Sequence, residues 1–180
     1  GEIVRVGARV TNYQPGDIVL GMASGSFSSY VVTPVTKIHH LPAHLSVEEA
    51  ATIPLTFMTA YYALHYLAGM AAGERVLIHA AAGGVGMAAV QLAQRAGAEI
   101  FATAGSPEKR AFLTALGVPH VFDSRSLDFA DEIMTLTEGR GVDIVLNSLA
   151  GEFIPKSLAV LADHGRFLEI GKTGIWSAEE

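Results

Sequence analysis

The chain has 180 residues, half of them hydrophobic and 17% charged, with a formal net charge of −6 and no cysteine. That length suits one domain, or one domain plus a piece of another, and the apolar content argues against disorder. The 12 basic residues form no run, which speaks against a nucleic-acid or anionic-membrane surface. No apolar stretch reaches the ~20 residues of a spanning helix, and the lack of thiols excludes disulfides and thiolate zinc sites while fitting a reducing cytoplasm.

Residues 1–45 are rich in valine, turns and single glycines. Ile3–Val6, Ile18–Leu20 and Tyr30–Thr33 are expected as short strands of a small sheet or barrel, divided by turns such as Pro15-Gly16-Asp17. The segment opens as if inside a strand, and is expected to be the tail of a truncated domain. From Ser46 the period changes. Ser46 and Glu49 have the spacing of a capping box, and Thr59–Ala68 reads as a further helix ended near Gly69.

A regular alternation follows. Strands are expected at Arg75–Ala80, Glu99–Ala104, around Val121, at Asp143–Ser148 and at Arg166–Ile170. Helices are expected at Gly84–Ala96, Pro107–Leu116, Leu127–Thr137 and Glu152–Ala162. Right-handed crossovers put such helices on both faces of a parallel sheet. Runs such as VLIHA and DIVLNS lack strict alternation, as strands buried on both faces do. Residues 46–180 are therefore expected to form an α/β, doubly wound (Rossmann) domain.

The segment VLIHAAAGGVGMAAVQLA passes from strand through a glycine turn to helix. It matches G-x-G-x-x-G with Ala81 in the first glycine position. Gly83 would let backbone approach a pyrophosphate, and Gly86 would let the helix pack on the strand. The N–H groups of Gly84, Val85 and Gly86 at the helix start would then meet the anion. A methyltransferase uses a similar loop, but would show an acid near the first glycine, where His79 and alanines stand. Gly171-Lys172-Thr173 resembles the end of a P-loop, yet the required first glycine falls on Arg166.

The second strand ends without the acid that holds an NAD ribose. Ser106, a good cap, and Pro107 instead open a helix whose first turn carries Lys109 and Arg110. Two cations there oppose the helix dipole, and a ribose 2′-phosphate would explain them. One such contact at ~4 Å is worth up to ~4 kcal/mol before desolvation, at an effective dielectric of about 20. Arg125, after the third strand, is a secondary candidate for the same pocket. The reading is NADP(H) over NAD.

The run PxxFxTAYYAL…AGERVLIHAAAGGVGMAAVQLA…ATAGSPEKR…GVDIVLNSLAGE…HGRFLEIGK resembles the enoyl reductase domains of modular polyketide synthases and animal-type fatty acid synthases, within the medium-chain dehydrogenase/reductase superfamily. The resemblance covers essentially the whole chain. It implies that residues 1–45 are the C-terminal part of a GroES-like catalytic domain, with more of the enzyme before Gly1 and after Glu180. It further implies hydride addition from NADPH to the β-carbon of a carrier-protein-bound enoyl thioester, proton delivery at the α-carbon, and company with other synthase domains. A homodimer is expected because superfamily members often extend their sheets across a two-fold axis. Zinc-dependent members carry a cysteine-rich lobe and a distal cysteine near Leu55; neither is present, so no metal is expected.

Ligands of doubly wound sheets lie beyond the carboxyl ends of the strands. Asn147, Ser148 and Leu149 follow the fourth strand and Gly171 the fifth, so all four are expected beside the nicotinamide. Lys172 resembles the family lysine proposed as proton donor. Thr59 resembles the superfamily threonine near the nicotinamide. Two rival functions stay open: a free-standing quinone or enone reductase of the same superfamily, and a non-catalytic dinucleotide module.

Overall fold

The computed structural model describes residues 1–174, in two compact units divided between Met58 and Thr59. The expected cofactor domain began at Ser46. The first unit reaches further because helix α1 (Val47–Ala51) packs on strand β1 (Val19–Gly21) of that unit. Residues 175–180, the end of the expected cofactor domain, lie outside the described residues.

In the first unit β1 pairs antiparallel with β2 (Ile38–His40). The expected strands at Ile3–Val6 and Tyr30–Thr33 do not form. Ile3 donates to the Asp17 carbonyl and accepts from the Gly16 amide (2.9 and 2.8 Å), beside a lone bridge between Glu2 and Ile18. The pairing continues through Gly1 and Val19, which exchange two bonds (2.7 and 2.8 Å), but among the described residues none reaches Val4–Val6, and valine-rich sequence without a pairing partner is not a strand. A cavity of about 440 Å³ lies among Ile3, Val6, Tyr13, Leu20, Val31 and Ile38. No predicted cofactor residue lines it.

Ser46 caps α1 as the spacing required: Glu49 N–H donates to Ser46 Oγ at 3.2 Å, and Ser46 N–H to Glu49 Oε2 at 2.9 Å. Helix α2 (Ile53–Tyr61) starts earlier than the expected Thr59 and runs into a π-helical turn, Tyr62–Leu67. The Ala68 amide reaches back to the Ala63 carbonyl, and Gly69 at φ +62° ends the element.

The second unit is a five-stranded parallel sheet. Its strands are β3 (Arg75–Ile78), β4 (Glu99–Ala104), β5 (His120–Asp123), β6 (Val142–Asn147) and β7 (Leu161–Glu169), in the order β5-β4-β3-β6-β7. Connecting helices are α3 (Gly84–Ala96), α4 (Pro107–Ala115), α5 (Phe129–Leu136) and α6 (Phe153–Ala159). Leu77, Phe101 and Val145 bury one face against Phe129, Ala130 and Ile133 of α5. Val76, Ile78, Ile100, Ala102, Ile144 and Leu146, of opposite parity, are equally buried. Both faces are therefore covered, which is why the strand sequences read as apolar runs. The strand order reverses between β3 and β6, so the ligand crevice of this sheet opens at their carboxyl ends.

Candidate functional site

The turn from β3 to α3 is held from beneath by Thr103 of β4. Its hydroxyl oxygen accepts from the Ala80 amide (3.3 Å) and its carbonyl from the Ala81 amide (2.9 Å). Ala80 takes a left-handed φ of +49°, and its carbonyl accepts from Gly83 N–H at 2.8 Å. A Cβ on Gly86 would stand 2.5 Å from the Ala80 carbonyl oxygen and 2.6 Å from Ala81 Cα. Only glycine lets α3 start this close to the strand.

Gly83 is the N-cap of α3, with no side-chain cap, and Gly83 and Gly84 are exposed. The amides of Gly84, Val85 and Gly86 have no intrahelical carbonyl to meet, and the helix dipole lies behind them. Ala81, in the first-glycine position, is fully buried.

His79 anchors this turn. Its Nδ1 lies 3.0 Å from Thr103 Oγ1 and its Nε2 2.8 Å from Ser157 Oγ of α6, with the ring edge-on to Phe129. Burial lowers its pKa to about 4, so the imidazole is neutral at pH 7.

The three cations assigned to a 2′-phosphate separate. Arg110 is committed: its Nη1 donates to the Ala104 carbonyl (3.1 Å) and pairs with Asp123 Oδ2 at 3.0 Å. Lys109 is exposed and has no side-chain partner among the described residues. Arg125 lies over the turn between β4 and α4, its Nε 3.3 Å from where a Gly105 Cβ would stand. Its own amide donates to Asp123 Oδ1 at 2.8 Å. Ser106 caps α4 by accepting from the Lys109 amide at 3.3 Å. Hydrogen bonds from the Ser106 hydroxyl and from its own amide hold Glu108 below the usual carboxylate range.

At the carboxyl ends of β6 and β7 the side chain of Asn147 is fully buried and fully used. Its Nδ2 donates to the Leu149 carbonyl (2.8 Å) and to Glu169 Oε2 (2.6 Å), and its Oδ1 accepts from Leu149 N–H at 3.2 Å. Ser148 Oγ is buried without a protein partner. Gly171 is half-buried and Lys172 exposed, while Thr59 is half-buried in α2.

Sequence reasoning missed Thr103, Asp123 and Glu169. A threonine inside the buried run EIFATA, and a glutamate inside RFLEI two residues before Gly171, were the available signals. Among the described residues no three histidine, aspartate or glutamate side chains converge as a metal site, and no helix is long and apolar enough to cross a membrane.

A dinucleotide fits these residues. The uncapped helix start sits at the reversal point with room for backbone approach, and a buried hydroxyl at Ser148 lacks a partner. Fold and crevice together define a dinucleotide-binding domain of an oxidoreductase. A family profile described as zinc-binding dehydrogenase matches residues 84–179. The chain is 50% identical over 180 residues to erythronolide synthase EryA2 of Saccharopolyspora erythraea, covering 99% of this chain and 5% of that protein. The crystal structure of CurK enoyl reductase superposes with a TM-score of 0.92 at 55% identity, covering 99% of this chain and 54% of that one.

The nucleotide-binding subdomain of the enoyl reductase domain of PpsC from Mycobacterium tuberculosis is 52% identical, with a TM-score of 0.66, over 69% of this chain and 73% of that one. The chain belongs to the zinc-binding dehydrogenase family, in the group of polyketide synthase enoyl reductase domains. It spans about half the length of the CurK enoyl reductase.

Proposed function

We propose that this chain is the cofactor-binding part of an NADPH-dependent enoyl reductase, with residues 1–45 the end of its GroES-like catalytic domain. Within a cytoplasmic, dimeric synthase it would reduce the 2,3 double bond of a carrier-protein-bound enoyl thioester during chain extension. The observation that carries the coenzyme choice is the turn after β4. It has no acid for a ribose diol, and beside it stand an uncommitted Lys109 and an Arg125 laid over Gly105. Of the acids nearby, Glu108 is held by the Ser106 hydroxyl and Asp123, at the end of β5, is matched by Arg110.

In this reading the amides of Gly84, Val85 and Gly86 bind the pyrophosphate, and Gly83 gives it access. Ser106, Lys109 and Arg125 hold the 2′-phosphate, with Arg110 a brace for their loop. Ser148, Leu149, Gly171 and Thr59 border the nicotinamide. The bound coenzyme supplies hydride to the substrate β-carbon. Lys172, whose ammonium is free to turn, donates a proton to the α-carbon.

Fluorescence titration with NADPH and NADH tests the coenzyme. Tighter binding of NADPH is expected, with Lys109→Ala and Arg125→Ala each eroding the preference about tenfold, roughly one phosphate contact. Equal affinities for both coenzymes would remove the phosphate argument. Carrier-bound crotonyl and a small quinone, each offered with NADPH, separate enoyl reduction from quinone reduction.

A further inference from the structure

We propose that Glu169 is a positioning residue that clamps the two loops on the nicotinamide side of the crevice into one piece. Glu169 closes β7 in register with Asn147 at the end of β6. One carboxylate oxygen, Oε2, accepts from Asn147 Nδ2 at 2.6 Å; the other, Oε1, accepts from the Gly171 amide at 2.5 Å. The Ile170 amide adds a rung to the Asn147 carbonyl at 2.9 Å. Short bonds of this kind, with an ionised acceptor, are the strong ones.

A carboxylate is the group this position requires. Both facing groups are donors, and only two acceptor oxygens satisfy both; an amide would turn an N–H₂ against one of them. Gly171 is part of the same device. A Cβ there would stand 2.7 Å from Glu169 Oε1, so any larger residue would make the carboxylate shift from this position. The clamp also reassigns Asn147. With its donors shared between Leu149 and Glu169 and its oxygen taken by Leu149, its side chain supports the turn instead of touching a ligand. What Glu169 holds is thus the Ser148–Leu149 turn on one side and the backbone leading to Lys172 on the other.

The functional half of this inference rests on the enoyl reductase reading; the clamp itself does not. Glu169→Gln keeps size and shape and removes one acceptor. In the intact polypeptide that carries this chain, amide hydrogen exchange at Gly171 and Leu149 is expected to accelerate at least tenfold. The kcat for crotonyl thioester is expected to fall ten- to a hundredfold, the cost of a displacement of about 1 Å. The NADPH Kd should stay within about threefold, because the pyrophosphate and 2′-phosphate contacts lie elsewhere.

Unchanged exchange at Gly171 would overturn the clamp. Faster exchange with kcat intact would overturn its positioning role. A wild-type protein that binds NADPH but reduces no enoyl thioester would sink the functional reading alone, and the exchange rates would still decide the clamp.

Discussion

Acidification should unlock the second unit through a single imidazole. His79 is neutral in the folded chain, with burial moving its pKa from 6.5 to about 4. The unfolded chain takes up a proton at about 6.5 and the folded chain does not until about 4, so between those values the unfolded state binds more protons. Stability is then complete above pH 6.5 and falls as the pH drops toward 4. Between pH 7.5 and 4.5 the loss amounts to about 2.5 kcal/mol, at about 1.4 kcal/mol per pH unit. The lowered carboxylates Glu49, Glu99 and Glu108 start from 4.5, so their contribution is lost mainly below this window. Urea titrations followed by circular dichroism at pH 7.5, 6.5, 5.5 and 4.5 should show the slope in the wild type. His79→Gln should begin less stable at pH 7.5 and stay nearly level across the series. Parallel curves for the two proteins, or a His79 resonance titrating near 6.5, would refute the reasoning.

Other expectations concern the same end of the sheet. Gly86→Ala forces a Cβ against the Ala80 carbonyl and should cost about 1–3 kcal/mol, with NADPH affinity falling more than stability when melting and binding are measured together. Thr103→Val removes the acceptor for the Ala80 amide and the His79 partner; it should weaken NADPH at least tenfold but leave adenosine 2′-monophosphate binding nearly unchanged, while Thr103→Ser keeps both. Arg110→Ala removes the guanidinium from Asp123 and the Ala104 carbonyl, leaving them only the Arg125 and Ser124 amides. A lower melting temperature is expected from it, with a smaller change in NADPH-over-NADH preference than Arg125→Ala gives.

The order of strands and helices was legible because strands buried on both faces announce themselves as apolar runs, and α3 and β4 fall on the expected residues. Legibility failed where structure depends on distant partners. Glu152–Ala162 reads as a helix and Arg166 as the start of a strand, yet α6 stops at Ala159 and β7 begins at Leu161. Pairing with β6 passes through an irregularity, Val142 opposite Leu161 and then Ile144 opposite Arg166, with His164 at φ +63° between. The polar Asp163-His164-Gly165 of that irregularity looks like loop to any local rule. The glycine turn was readable for the opposite reason: its chemistry lies within a few consecutive residues. Lys109 and Arg110 are neighbours in sequence, but only the approach of Asp123 from β5 tells the committed cation from the free one.

The distribution of charge explains how a chain of net −6 can serve an anionic ligand. Four arginine–carboxylate pairs are formed among the described residues, and three lie at the amino ends of the strands: Arg75 on Glu99, where the His120 ring also hydrogen-bonds, Arg140 on Asp143, and Arg166 on Glu74. Burial pushes the Glu99 carboxyl up, but hydrogen bonds from His120 and Arg75 together with nearby charge outweigh it and keep Glu99 below the usual carboxylate range. Those charges cancel one another far from the crevice. At the carboxyl ends the groups facing the β3–α3 turn are neutral: free amides, the Thr103 hydroxyl and an uncharged His79. A protonated imidazole there would attract phosphate, but its burial cost is what holds it neutral. Attraction for the ligand therefore comes from fixed backbone dipoles acting over a few ångströms, where the net charge, screened beyond about 8 Å at physiological salt, has little reach. On the proposed NADPH reading, the two uncommitted cations at the periphery would act on the 2′-phosphate alone, which would separate coenzyme choice from coenzyme binding.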